Sequence, residues 1–112
     1  MSRALGGEAE ARAAALLESK GLRILERNFV AKVGELDLVA RDGDTVVFVE
    51  VRSRGRSAFG SALESITPAK LRKLIKTAQY YAMIKRLDCP MRFDVVAESP
   101  AGLEHLPNAF TL

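Results

Sequence analysis

Apolar residues recur with helical spacing over the first twenty positions of the chain. They fall on one side of such a helix at Ala9, Ala13, Leu16 and Leu17. Glu10 and Lys20 would then face water, and Gly21, a common residue at helix ends, follows directly. The pattern therefore predicts a first helix from residue 7 to residue 20.

Short apolar runs bounded by turn residues dominate the rest of the chain and predict β-strands. These runs span residues 22–30, 35–40, 45–54, 91–98 and 103–110, and the last run is either a strand or an extended tail. Asp42-Gly43 separates the second and third runs and is a strong signal for a two-residue hairpin loop. In that hairpin Arg41 would pair with Asp44.

A second helix is predicted between the third and fourth strands. Thr67 is a suitable N-cap, and Pro68 suits the first helical turn. Apolar residues then share one face at Leu71, Leu74, Ile75, Ala78 and Ala82. The preceding segment, Ser53–Ser65, is rich in Arg, Gly and Ser, and is predicted to be a mobile loop. The order α-β-β-β-α-β-β indicates one small α/β or α+β domain over residues 1–112.

Composition excludes several classes of protein. No apolar run approaches the roughly 18 residues needed to cross a membrane, and charges are spread through the N-terminal residues. Cys89 is the only cysteine, so an internal disulfide is excluded and a free thiol is expected. We therefore expect a cytoplasmic protein without a membrane partner.

The net charge of +3 is small, but the basic residues are unevenly distributed. From Arg52 to Arg86 the chain has nine Lys or Arg and one acid, whereas the remainder has eight Lys or Arg and thirteen acids. Three lysines of the predicted helix recur at helical spacing, namely Lys70, Lys73 and Lys76. Such a segment is typical of a solvated face or of a nucleic-acid contact. Its position directly after a charged strand end favours the contact.

Charged residues also interrupt the third strand, although burying an unpaired carboxylate is costly. With the predicted loop, Glu35 lies opposite Glu50, and Asp37 lies on a diagonal from Glu50. Phe48 and Arg52 project to the same face, because side chains alternate along a strand. Crowded carboxylates repel one another, so this cluster needs a cation, a shared proton or a flanking arginine.

Two interpretations of the cluster are open. In the first, Arg52 ties the acids into a salt-bridge network that holds the sheet together. In the second, the clustered carboxylates bind a divalent cation such as Mg²⁺, because such cations prefer oxygen ligands. The cation would polarise a phosphodiester and activate water, while Arg52, Arg54 and Arg56 contact phosphates.

Two motifs carry a resemblance to a known group of nucleases. "GELDLVA" followed by "VVFVEVRSR" resembles the D…(D/E)-x-K signature of the restriction-endonuclease-like superfamily. The whole chain resembles the YraN-like family of small bacterial proteins, which are similar to archaeal Holliday-junction resolvases. The segments that match are "GGEAEARAAALLESKGLRILERN", "GELDLVARDGDTVVFVEVRSR", "FGSALESITPAKLRKLIKTAQYY", "RFDVVA" and "HLPNAF". The resemblance implies a restriction-endonuclease-like α/β domain, with helices flanking a mixed sheet.

The resemblance also implies roles for individual residues. Asp37 and Glu50 match the metal-binding acids of the superfamily, with the Val51 carbonyl as a further ligand. Glu8 matches an acid of the first helix that approaches the metal in resolvase-like proteins, although the helix dipole alone would also favour an acid there. Glu35 fits the G-E-x-D pattern of the family and is a further candidate ligand.

Arg52 stands where the motif has a lysine, and this departure divides the functional hypotheses. Arginine cannot accept a proton, but it can orient a scissile phosphate and neutralise its charge. The first hypothesis is a Mg²⁺-dependent, structure-selective DNA endonuclease, similar to Holliday-junction resolvases. Asp37, Glu50 and Arg52 would be its catalytic residues. The backbone of branched DNA would be bound by Arg54, Arg56, Lys70, Lys73 and Lys76.

Two further hypotheses are open. The second is a nucleic-acid-binding protein of the same fold that has lost turnover through the lysine-to-arginine change. The third is a protein-interaction module built on a buried salt-bridge network. By resemblance to the resolvases a homodimer is expected, and the glycine-rich stretches match no phosphate-loop pattern, so no nucleotide cofactor is expected.

Two other polar residues have mainly structural interpretations. Asp94 interrupts an apolar strand, and we expect it to pair with Arg92 or with a lysine of a helix. His105 is the only histidine, which excludes a metal centre of several histidines. We expect His105 on an edge strand.

Overall fold

A computed structural model describes residues 2–53 and 65–110 of the chain. The elements are α1 (Ser2–Ser19), β1 (Arg23–Ala31), β2 (Gly34–Asp42), β3 (Thr45–Ser53), α2 (Pro68–Ile84), β4 (Met91–Ser99) and β5 (Gly102–Phe110). The predicted order α-β-β-β-α-β-β is confirmed, and the last apolar run is a strand. Neither helix in these ranges is long and apolar enough to span a membrane. The predicted loop arginines, Arg54 and Arg56, lie outside the described residues.

The five strands form one mixed sheet and lie in the order of the sequence, from β1 at one edge to β5 at the other. Neighbouring strands are antiparallel except for β3 and β4, which are parallel. Parallel neighbours need a long crossover connection, and α2 lies within it. The mixed sheet that the sequence predicted is therefore confirmed.

Each helix covers one face of the sheet. Small and apolar residues of α1 pack in a cluster with inward residues of the sheet, including Ala13, Leu17, Leu38, Val47 and Val96. The opposite face carries the larger side chains and packs against α2, with Leu74, Ala78, Tyr81, Phe48 and Phe93 in contact. Burying both faces explains why β3 and β4 are almost continuously apolar.

The start of α2 is fixed by local chemistry. The Thr67 hydroxyl accepts a hydrogen bond from the Lys70 backbone N–H at 3.1 Å, and Pro68 is the first helical residue, as predicted.

Further along α2, Thr77 is held against the first residue of β2. A Cβ atom on Gly34, whose φ is +154°, would lie 2.6 Å from Thr77 Oγ1. Only glycine lets these two elements approach so closely.

The hairpin between β2 and β3 forms, but the predicted register is wrong. Asp42 pairs with Thr45, so the loop is Gly43-Asp44 rather than Asp42-Gly43. Gly43 has a φ of 60°, and a hairpin turn whose first loop residue has positive φ favours glycine there. Each residue of β2 therefore faces a partner two positions further along β3 than expected. The faces are preserved, because a shift of two residues leaves the side-chain alternation unchanged.

Candidate functional site

Two carboxylates converge where the pairing of β2 with β3 ends. The last pair of the two strands is Leu38 with Val49, and Asp37 and Glu50 are the next residues beyond it. Asp37 Oδ2 accepts a hydrogen bond from the Val51 backbone N–H at 2.9 Å. The Asp37 carboxylate is close enough to Glu50 for its negative charge to raise the pKa of Glu50. The predicted convergence of these two acids is therefore present, since both line the same two cavities.

The carboxylate pair opens on a cavity of about 300 Å³ between the sheet and α2, which we call the carboxylate cavity. Besides the pair, its walls are formed by Gly34, Glu35, Lys70, Lys73, Leu74 and Thr77. The acids thus face two lysines of the basic helix across a small space. Positive charge opposite paired carboxylates is suited to a ligand that carries both a cation and a phosphate.

Glu50 is the most perturbed group of the cavity. It is 7% exposed. Burial and the negative charge of Asp37 raise the pKa of Glu50 from 4.5 to about 8, although Arg52 and Lys70 act in the opposite direction. Glu50 therefore keeps its proton to a higher pH than an exposed glutamate does. A shared proton is one of the three ways in which such a pair can be stabilised, and a bound cation is another.

Arg52 is held in place on two sides. Its Nη1 lies 3.3 Å from Glu50 Oε2, while Nε and Nη2 donate to the hydroxyl and the carbonyl of Ser65 at 3.2 and 3.3 Å. Lys70 Nζ lies 3.9 Å from the same Glu50 oxygen. Arg52 thus makes the contact that the salt-bridge interpretation predicts. The contact does not offset burial, because the pKa of Glu50 remains raised.

Glu35 is not opposite Glu50, contrary to the expected register. It pairs instead with Val30 of β1, and it lines the carboxylate cavity as an exposed side chain. The carboxylate next to Glu50 is Asp37, because the loop is displaced by one residue. The Val51 amide is used by Asp37, and the role of the Val51 carbonyl as a ligand stays a prediction.

A second cavity, of about 390 Å³, reaches the same acids from the side of α1. Glu10 lines it together with Asp37 and Glu50, whereas Glu8 is exposed and lines neither cavity. The expectation that Glu10 faces water is therefore wrong. Glu10 precedes the buried Ala14 by four residues, so helical spacing counted from the buried residues could have identified it.

A groove of about 390 Å³ adjoins the carboxylate cavity along α2. We call it the lysine groove, and it is lined by Val33, Ala69, Arg72, Lys73 and Lys76. Lys73 lines both spaces, so the groove continues directly from the carboxylates. None of the described residues that line it is acidic. The sequence predicted Lys73 and Lys76 as phosphate contacts but missed Arg72, which lies on the same face one turn before Lys76.

The carboxylate pair can hold a divalent cation, although as a small donor set. Among residues 2–53 and 65–110, no group of three or more His, Cys, Asp or Glu is arranged to bind a metal. Mg²⁺ is nevertheless often held by one or two carboxylates, with water and phosphate oxygens completing its shell. Asp37 and Glu50 fit that requirement, provided that Glu50 releases its proton on binding.

A separate polar cluster lies on the opposite face of the sheet, around the fully buried Asp94. Arg92 donates two hydrogen bonds to it at 2.9 and 3.2 Å, the Asn108 N–H donates at 2.8 Å, and His105 Nε2 lies 2.7 Å away. Burial alone would raise the pKa of Asp94, but these hydrogen bonds lower it. The predicted pairing with Arg92 and the edge-strand position of His105 are confirmed.

Comparison with known proteins identifies a family. The sequence profile of Uncharacterised protein family UPF0102 matches residues 9–97. The UPF0102 protein of Dechloromonas aromatica is 50% identical over 108 residues, which cover 96% of this chain and 89% of that protein. The UPF0102 protein of Persephonella marina is 44% identical over 108 residues, covering 96% and 93%. The UPF0102 protein of Stutzerimonas stutzeri is 50% identical over 115 residues, covering 97% and 96%.

Proposed function

The chain belongs to the uncharacterised protein family UPF0102, which confirms the resemblance to the YraN-like proteins, and we propose that it is a metal-dependent, structure-selective DNA endonuclease. The observation that carries the proposal is the Asp37–Glu50 pair, in which the pKa of the buried Glu50 is raised to about 8. Strongly perturbed titratable groups that line a cavity are typical of functional sites. The cavity continues into a basic groove, which supports a polyanionic substrate.

In phosphodiester hydrolysis the acids, Arg52 and the lysines would each have a separate role. Asp37 and Glu50 would hold Mg²⁺ or Mn²⁺, which when bound polarises the phosphodiester and activates water. Arg52 stays protonated, so it would orient the scissile phosphate and neutralise its developing charge without accepting a proton. Lys73 and Lys76 would bind phosphates next to the one that is cleaved, with Arg54 and Arg56 as further contacts.

Lys70 gives the site a lysine that its motif position lacks. Its ammonium lies 3.9 Å from Glu50 Oε2, and its side chain lines both cavities that reach the acid pair. A flexible ammonium in that place can position a water molecule or a phosphate oxygen beside the cation. We include Lys70 in the proposed site for this reason, next to Arg52.

A second candidate function is DNA binding without cleavage. Arginine at position 52 favours it, since its guanidinium is bonded to Glu50 and Ser65. In that case the basic residues of α2 would still bind the DNA backbone. The binding would weaken steeply with added salt, because each neutralised phosphate releases counterions.

The test is cleavage of labelled linear, nicked, flapped and four-way-junction DNA in the presence of Mg²⁺, Mn²⁺ or EDTA. Glu50→Gln and Asp37→Asn should each reduce metal-dependent cutting by at least about 100-fold, a loss of roughly 3 kcal/mol of transition-state stabilisation. Asp44→Asn is the matched control, because it removes an exposed carboxylate from the same hairpin and should leave cutting unchanged.

Each other outcome has a definite meaning. Salt-sensitive DNA binding without cutting would reject the endonuclease and support the DNA-binding protein, provided that Arg52→Lys, which restores the motif, also fails to cut. Cutting that persists in both acid variants would come from a contaminant and would refute the proposed site. Absence of both binding and cutting on every DNA would reject both candidates.

A further inference from the structure

Basic and aromatic side chains share one outer face of α2. Arg72, Lys76 and Tyr80 follow one another at intervals of four residues, which places them on adjacent turns of the same helix face. Val33, from the turn between β1 and β2, forms the other wall of the lysine groove. A strand of DNA that leaves the carboxylate cavity through this groove would meet cations first and an aromatic ring last.

The Tyr80 ring is supported from beneath. It contacts the Phe29 ring with centroids 6.4 Å apart and an interplanar angle of 38°, and Phe29 in turn packs edge-on against Tyr81 at 5.0 Å. Tyr81 belongs to the buried core of this face. Tyr80 nevertheless remains 38% exposed. It is therefore an aromatic side chain held in a fixed place by the core, with part of its surface open to a ligand.

The spacing along the helix matches a short stretch of DNA. Lys73 lines both the carboxylate cavity and the lysine groove, and Tyr80 lies seven residues beyond it. Seven residues of α-helix span about 10 Å, at about 1.5 Å per residue. Successive nucleotides of a stacked strand rise about 3.4 Å each, so this distance covers roughly three nucleotides or fewer if the strand is extended.

We propose that the lysine groove holds an unpaired DNA strand, with Arg72, Lys73 and Lys76 on its phosphates and Tyr80 stacked on one of its bases. An aromatic side chain can stack only on a base that has left the duplex, whereas single strands offer every base. The inference rests on the proposed function and narrows its substrate to DNA with a single-stranded segment. The described residues of the groove wall include three cations and no acid, and this composition favours DNA over a protein partner.

The test is binding in EDTA, which separates recognition from cleavage. Fluorescence anisotropy would compare a labelled single strand with the duplex of the same sequence. Tyr80→Ala should weaken single-strand binding by about 5-fold to 100-fold, the usual worth of one stacked base, and leave duplex binding within about 2-fold. Tyr80→Phe should bind like the wild type. Tyr80→Leu keeps apolar packing on Phe29 and should lose the same affinity as Tyr80→Ala.

Two further variants separate charge from stacking. Lys76→Ala should weaken single-strand and duplex binding alike and lower the salt dependence by about one phosphate contact. Arg27→Ala is its matched control, because Arg27 is exposed and pairs with Leu38, whose side chain packs on the opposite face of the sheet. In a strand that carries 2-aminopurine, stacking should quench the probe with wild type and Tyr80→Phe, but not with Tyr80→Leu.

The inference and the proposed function can fail separately. If the wild type binds no DNA, both fail. Suppose that the wild type binds and cuts DNA. If Tyr80→Leu then binds the single strand as tightly as the wild type does, only the groove assignment is refuted. The same holds if Tyr80→Leu loses equal affinity for the single strand and for the duplex. If Tyr80→Ala instead changes the mass of the free protein in sedimentation, this face is a subunit contact and the groove assignment is also refuted.

Discussion

Two buried carboxylates lie on neighbouring strands of the sheet and behave in opposite ways. Glu50 is on β3 and Asp94 is on β4, with exposures of 7% and 0%. In the parallel register Glu50 lies beside Val95 and Asp94 lies beside Val49, so the two acids face opposite sides of the sheet. The pKa of Glu50 is raised to about 8, mainly by burial, whereas the pKa of Asp94 is lowered although burial opposes this.

The difference lies in the partners that each acid receives. Asp94 accepts four hydrogen bonds of 2.7 to 3.2 Å, which fill the lone pairs of both its oxygens. Glu50 has an arginine at 3.3 Å and a lysine at 3.9 Å, and its closest carboxyl neighbour carries the same charge. Burial disfavours the ionised form of both acids, and only the Asp94 cluster offsets it.

The comparison favours a structural role for Asp94 and is consistent with the role proposed for Glu50. Asp94 is enclosed, and both its oxygens accept hydrogen bonds. It lines neither of the two cavities that Asp37 and Glu50 line. Glu50 lines a cavity, and its raised pKa shows that its partners do not offset burial, a combination that is common at functional sites. The predictions below test this assignment, from the largest expected effect to the smallest.

Asp94→Ala should be the most destabilising of these changes. It leaves the buried side of Arg92 and the His105 ring without their acceptor, so we expect a loss of about 4 kcal/mol in the free energy of unfolding. Urea denaturation measures this loss. Asp88→Asn, an exposed acid in the loop before β4, should stay within about 0.5 kcal/mol of the wild type. A loss below about 1 kcal/mol for Asp94→Ala would remove the contrast between the two acids.

The wild type should lose stability as the pH rises from about 4.5 to about 8. In this window the folded state keeps a proton on Glu50 that the unfolded state has lost, so the folded state binds more protons and its advantage falls with pH. The slope is at most about 1.4 kcal/mol per pH unit, and we expect a total on the order of 3 kcal/mol.

Glu50→Gln is the control for this pH dependence. It keeps the shape of the side chain and has no proton to lose, so the excess slope of the wild type should disappear. At pH 8 this metal-free variant should be at least as stable as the wild type. The salt-bridge interpretation predicts the reverse, because removing a charge that holds a network together lowers stability at every pH where the network is ionised.

Mg²⁺ or Mn²⁺ should stabilise the wild type against unfolding, and more strongly at pH 8 than at pH 6. At ten times its Kd a bound ion adds about 1.4 kcal/mol, which thermal melting can detect. Below the pKa of Glu50 the ion must displace a proton, so its affinity should fall about tenfold per pH unit. The shift should vanish in Asp37→Asn. An equal shift in that variant would place the ion elsewhere.

Lys70→Met should have the smallest effect, and only at high pH. The lysine favours ionised Glu50 from 3.9 Å, but its side chain is 43% exposed, so the contact is worth less than about 1 kcal/mol. The variant should raise the midpoint of the pH transition slightly and leave stability at pH 4 unchanged. Lys76→Met, which removes a lysine further along the same helix, should leave that midpoint where it is.

The sequence by itself determined the order of the elements and the face on which the site lies. The 3.6-residue and two-residue periodicities, the cap at Thr67 and the turn signal near Gly43 all act within a few residues, so they can be recognised locally. Asp37 and Glu50 were assigned to one face for the same reason. A shift of two residues in their pairing left that assignment intact.

Only the tertiary structure decided which side chains meet. The choice of Gly43-Asp44 as the loop, Glu10 rather than Glu8 at the α1 cavity, and the pairing of Asp94 with His105 depend on how distant segments pack. The opposite pKa shifts of Glu50 and Asp94 depend on the same contacts, because each is the balance between burial and a donor set drawn from several elements. Neighbours in sequence set the local shape of the chain, whereas the surroundings of a buried charge are set by residues far away in sequence.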